Sequence, residues 1–213
     1  MYLFARRARL ANGHLRESAA WAVAITEKVN QITELNVGLW TSVFSPGLGE
    51  LVWATFVTDL AILETAEAKL MVDDGYVALA DQGAAFSSVE GADDTLSQLV
   101  HGDIDPNRQI QYVAVIETTV AAGKLGRGME LGVEIAQRAT QVTGIPTAFL
   151  ADTTGTYGAV RWITGYETVN QLQTAEQAIS GDVKFTQFVD KEVGSVYLSG
   201  PAVTTQRIAR RIA

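Results

Sequence analysis

The feature that most restricts this chain is that it contains one pattern twice. Tyr2 set against Tyr112, a shift of 110 residues, brings Leu15 onto Leu125, Ala22 onto Gly132, Val23 onto Val133 and Ile32 onto Val142. Those positions keep the spacing of one helical face. Gly13 falls on Gly123 just ahead of both helices. One residue drops out in the next loop and the shift becomes 109. Trp53 then meets Trp162, Leu63 meets Leu172, and Thr65-Ala66-Glu67 recurs unchanged as Thr174-Ala175-Glu176. Asp73 meets Asp182 and Asp81 meets Asp190. A repeat found first settles how every later segment is read.

Each copy spells the same elements. A β-branched and aromatic run opens it, Tyr2 to Leu10 and Gln111 to Val120. An amphipathic helix follows over about His14–Thr33 and Lys124–Thr143, and Gly144-Ile145-Pro146 stops the second one. Strands are expected at Val37–Phe44 and Thr147–Ala151, then turns at Ser45-Pro46-Gly47-Leu48-Gly49 and Asp152-Thr153-Thr154-Gly155. Third strands cover Glu50–Val57 and Ala159–Tyr166. A second helix, with room for a kink, runs from Thr58-Asp59 towards Gln82 and from Thr168 towards Glu192. A strand pair closes each copy: Ala84–Ser88 with Thr95–His101, and Ser195–Ser199 with Thr205–Ile212.

The order βαββαβ is the split βαβ, or ferredoxin-like, plan, so the fold class is α+β. Residues 1–104 and 108–213 are expected to form two tandem ferredoxin-like halves, linked through Asp103-Ile104-Asp105-Pro106-Asn107. Helices cover only one face of such a sheet. The run Leu51-Val52-Trp53-Ala54-Thr55-Phe56-Val57 does not alternate, so its second face needs cover too. The equivalent face of the other copy supplies it, giving one intrachain α+β barrel with a lumen between the sheets.

Composition excludes more than it assigns. The chain has no cysteine, hence no disulfide, thiolate ligand or cysteine nucleophile. A net charge of −8 argues against nucleic acid as a partner. The opening Met-Tyr-Leu-Phe-Ala-Arg-Arg lacks the order of a secretory signal, and no run is apolar enough to span a membrane. The expected location is cytoplasmic.

On Gly49-Glu50-Leu51-Val52-Trp53, Asp59-Leu60-Ala61, and Asp73-Asp74-Gly75-Tyr76 before Asp94-Thr95-Leu96, the chain resembles the dimeric α+β barrel superfamily. That group includes NIPSNAP-like proteins, stress-responsive barrel proteins and antibiotic-biosynthesis monooxygenases. The resemblance covers both copies and implies a lumen in which a ligand binds. Heme-using members need a histidine near the third-strand tryptophan, and the only histidines here, His14 and His101, stand elsewhere. Gly123-Lys124-Leu125-Gly126-Arg127-Gly128 lacks the ending of a phosphate loop. No Gly-x-Ser-x-Gly elbow is present.

The expectation is therefore a small-ligand-binding or stress-associated barrel with no metal and no organic cofactor. Its partner would be a small apolar molecule with a polar end, and whole chains would associate as a homo-oligomer. Two alternatives are a cofactor-independent monooxygenase or cyclase acting on an aromatic or polyketide-like substrate, and a structural assembly protein with a filled lumen. The candidate ligand-binding residues are Arg7, Glu117, Trp53, Trp162 and Arg161. Arg7 and Glu117 are repeat mates of opposite charge, expected to face each other across the lumen. Strand alternation groups Leu3, Ala5, Arg7 and Arg9 with Val113, Val115, Glu117 and Thr119 on the lumen side. No catalytic residue is assigned.

Overall fold

The computed structural model describes residues 1–11, 15–46, 49–105, 108–198, 200 and 203–213, with backbone alone for 15 and 87–90. Gly13, His14, Gly47, Leu48, Pro106, Asn107 and Ser199 lie outside the described residues. The elements are β1 (Tyr2–Leu10), α1 (Leu15–Thr33), β2 (Gly38–Ser42), β3 (Glu50–Val57), α2 (Leu60–Met71), α3 (Asp74–Gly83) and β4 (Ser87–His101), then β5 (Tyr112–Thr119), α4 (Leu125–Thr143), β6 (Thr147–Asp152), β7 (Ala159–Tyr166), α5 (Val169–Gly181), α6 (Val183–Glu192) and β8 (Thr205–Arg211).

The repeat is visible element by element. The kink foreseen in each second helix is a full break. At Asp73 the chain leaves the helical region, and the carboxylate then accepts the Tyr76 N–H to start α3. Asp182 does the same for Phe185 and α6. Gly144 ends α4 in the left-handed conformation, with φ 71°. The closing strand pairs differ from expectation. In the first copy one 15-residue strand, β4, replaces the pair. In the second copy, Val193–Ser195 is a 3₁₀ turn and Tyr197 makes a single bridge to Val120, so β8 stands alone. The glycine in Val193-Gly194-Ser195 has no side chain to anchor a sheet face, and a short helical turn forms there instead.

The hydrogen-bonded strand order, β1-β3-β2-β8-β5-β7-β6-β4, returns on itself, the connectivity of a closed eight-stranded barrel. The fold is α+β with six α-helices among the described residues. By compactness the chain divides into unit 1, Met1–Leu96 with Arg210–Ala213, and unit 2, Ser97–Ala209.

Within each unit the helices bury one sheet face. In unit 1, Leu10, Ala22, Leu39 and Leu51 form a core cluster with Trp21, Val23 and Trp53 packed against it. In unit 2, Leu131 and Ala136 of α4 pack with Val120, Phe149, Val160, Trp162, Val196 and Tyr197. A second cluster joins Ala114 and Tyr166 to Leu172 and Ala175 of α5. The Tyr197 hydroxyl donates to the Gly128 carbonyl, and burial pushes its pKa well up. Burial also raises the Tyr166 phenol to about 12, with Glu176 adding to the rise.

Candidate functional site

Residues directly opposite in an antiparallel ladder point to the same side. Trp162 lies opposite Ile116 and Phe149, while its neighbour Arg161 lies opposite Glu117 and Leu150. Since Trp162 and Phe149 face α4, Arg161, Glu117 and Leu150 occupy the face turned away from the helices. The same face carries Val113, Val115, Ile163 and Ala148. It also carries Asp152, two positions beyond Leu150, which lies opposite Ser97 of β4.

There the charged side chains form one network. Arg161 grips Asp152 through Nε at 2.9 Å and Nη2 at 2.5 Å. Its Nη1 lies 3.2 Å from Glu117 Oε1. Ser97 Oγ donates to Asp152 Oδ1 at 2.7 Å. Glu117 Oε2 receives Thr205 Oγ1 at 3.5 Å and lies 3.7 Å from Arg207 Nη1. The Arg161 and Asp152 side chains are 7% and 8% exposed. Removing such charges from water costs several kcal/mol each, and the fork-to-carboxylate geometry offsets that cost.

Unit 1 carries a sparser version. Arg7, Val52 and Trp40 lie side by side on β1, β3 and β2, again away from the helix side. Arg7 Nε lies 3.5 Å from the buried Glu50 carboxylate, which Ser42 Oγ also approaches at 3.5 Å. The Arg211 guanidinium stands over the Trp40 ring, 5.9 Å from its centroid. Arg6, of opposite parity, holds Asp94 with two 2.7 Å bonds. Those bonds keep its guanidinium above its ordinary pKa despite partial burial.

The structure thus brings Arg161 and Glu117 together and places Arg7 with Glu50. Arg7 and Glu117 belong to different units, and each has a charged partner inside its own unit. Both candidate tryptophans lie on the other side of their sheets, under the helices. Trp53 Nε1 donates to Thr26 Oγ1 of α1 at 2.8 Å, and Trp162 Nε1 to the Gly132 carbonyl of α4 at 2.9 Å. Asp152, Ser97, Arg207 and Glu50 were not foreseen as site residues. Asp152 reads as a turn residue from sequence, yet it keeps the parity of Leu150. His101 closes β4 opposite Phe149, and His14 is outside the described residues. Among the described residues no group of three or more His, Asp or Glu is placed to hold a metal ion, and no helix is long and apolar enough to cross a membrane.

No protein-family model matches the chain, and no curated protein is significantly similar to it. Solved structures are similar in shape. A monooxygenase candidate from Fusobacterium nucleatum superposes with a TM-score of 0.69 at 7% identity, covering 100% of this chain and 92% of that one. One from Lactobacillus acidophilus gives 0.64 at 9% identity, covering 99% and 93%. An anthrone oxidase-like protein gives 0.62 at 9% identity, covering 100% and 91%. The chain shares the α+β fold of these structures, with the strand connectivity of a closed barrel. At such identities the likeness concerns the fold, and chemistry has to be argued from the side chains.

Proposed function

We propose that this chain is a small-ligand-binding α+β barrel protein. It takes up an apolar molecule with a polar end and uses neither metal nor organic cofactor. One observation carries the reading: a buried ion network on the sheet face that no helix of its unit covers, bordered there by Val113, Val115, Leu150 and Ile163. Packing alone is served as well by apolar residues as by a buried ion pair. Charge set among aliphatic side chains suits a ligand whose body is apolar and whose end is polar. Glu117 and Arg161, both in unit 2, are its polar contacts. Trp162 stands behind those strands on the helix side, as Trp53 does within unit 1.

Native mass spectrometry of the freshly purified full chain tests this and reads the expected homo-oligomer at the same time. The expected result is a small organic adduct released on denaturation. A bare chain that decanoate, decanol and decylamine all fail to stabilise against heat contradicts the reading.

A second reading, a cofactor-independent monooxygenase or cyclase for an aromatic or polyketide-like substrate, draws on the names of the similar structures. Oxygen uptake with an anthrone distinguishes the two. A binding protein leaves the rate at the uncatalysed level.

A further inference from the structure

At one end of the unit 1 sheet, on the same side as Arg7, lies a cleft of about 130 Å³ lined by Arg7, Arg9, Glu50, Gly91 and Asp93. Arg7 and Arg9 are two apart on β1 and project from the same face. Gly91 has φ 76°, and among the described residues a Cβ placed on it would meet no atom within 4 Å, so that wall is open. Glu50 is 8% exposed and is engaged by Arg7. Arg9 and Asp93 are different. They line the same small cleft with opposite charges, and among the described residues neither makes an ion pair or a side-chain hydrogen bond, with each other or elsewhere.

The repeat supplies an internal control. The mates of Arg9 and Glu50 are Thr119 and Ala159. The same strands are therefore built in unit 2 with a hydroxyl and a methyl group at these two places. A buried carboxylate and the unpaired Arg9 charge are not demanded by the architecture, and a buried charge is costly to keep.

We propose that this cleft binds a small zwitterion of α-amino-acid type, a site separate from the unit 2 network and independent of the function proposed for it. The ligand carboxylate sits on the Arg9 guanidinium, whose planar donors match it, and the ammonium group faces Asp93. The four charged side chains sum to zero, so a ligand with both charges and no net charge leaves the cleft balanced. A volume of 130 Å³ equals about four waters at roughly 30 Å³ each, room for a ligand the size of glycine or alanine.

Amide NMR titration of the full chain with alanine tests this, with acetate and methylamine as single-charge probes. Alanine is expected to shift the amides of Arg9 and Gly91 saturably, with a Kd on the order of 1 mM. Each single-charge probe should bind about ten-fold more weakly or worse, the discrimination of one lost charged contact. Arg9→Gln and Asp93→Asn, both at exposed positions, should each abolish the alanine response. Asp94→Asn, which removes the partner of Arg6 on the opposite face, should leave it intact. Equal binding of acetate and alanine, an unchanged response in either Arg9→Gln or Asp93→Asn, or no saturable shift in the wild-type chain overturns the proposal.

Discussion

The two units carry the same strand positions and fill them in opposite ways on their two faces. On the helix side the differences compensate. Ala22 and Leu39 in unit 1 correspond to Gly132 and Phe149 in unit 2. The larger ring enters because the helix gives up its methyl group: a Cβ on Gly132 would lie 2.1 Å from Phe149 Cζ. Trp53 and Trp162 both stay, each bonded to its own first helix. On the face away from the helices the differences do not compensate. Arg7, Val52 and Trp40 correspond to Glu117, Arg161 and Leu150, and Ser42 to Asp152. Volume is held on one face, while charge is redistributed on the other. The lesson is that the helix-side face maintains the fold and the remote face is where the two copies became chemically distinct.

The largest effect is expected where that distinction is sharpest. Arg161→Val writes the unit 1 residue into unit 2 and leaves Asp152 and Glu117 without their shared cation. Stability should fall by about 3–5 kcal/mol, the range for breaking one side of a buried ion pair. Adding Asp152→Ser, again the unit 1 residue, together with Glu117→Gln should recover most of the loss. Urea unfolding of the single and triple variants measures both, and a single variant as stable as wild type would remove the network from the account.

A smaller effect belongs to the helix side. Gly132→Ala should cost about 1–3 kcal/mol through overpacking. Phe149→Leu in the same chain, which reproduces the Ala22–Leu39 arrangement, should restore part of that. Thermal denaturation of the two variants checks the pairing. Additive losses would mean that the two positions are not coupled.

The smallest difference concerns the caps of α3 and α6. Lys28 binds Asp73, whereas its mate Arg138 turns to Glu134 and stacks 4.0 Å over the Phe188 ring centroid, leaving Asp182 to the backbone alone. The Tyr76 N–H first, and Lys28 next, hold the Asp73 carboxyl below its ordinary range. A lowered folded-state pKa stabilises above the unfolded-state value, and that stabilisation fades as pH falls through the folded-state value. Asp73→Asn should therefore be slightly less stable than wild type at neutral pH, and the gap should close in acid. A gap of constant size from neutral pH into acid would contradict the charged cap.

Much of this was legible in the sequence because repeat and periodicity report packing. The shifts of 110 and 109 placed Trp53 with Trp162 and Asp73 with Asp182, and β1 and β5 divide into faces as alternation required. The closing strands were harder, since hydrogen bonding to a neighbouring strand, and not local pattern, makes Ser87–His101 continuous. The site was legible only in part. The repeat singled out Glu117 but matched it with Arg7, and Arg161 entered only as the neighbour of Trp162; Asp152 and Ser97 meet through the ladder between β4 and β6, a pairing that joins the two copies and leaves no periodic trace. The tryptophans fell on the helix side because Leu51 and Val160 set the parity of their strands.

The central claim is that the unit 2 network anchors a ligand. It is tested most directly by comparing native mass spectra of the wild-type chain and the stability-restored triple variant Arg161→Val, Asp152→Ser, Glu117→Gln, purified in parallel. The account predicts an organic adduct on the wild-type chain and a bare mass for the triple variant. The same adduct at the same occupancy on both chains would contradict it.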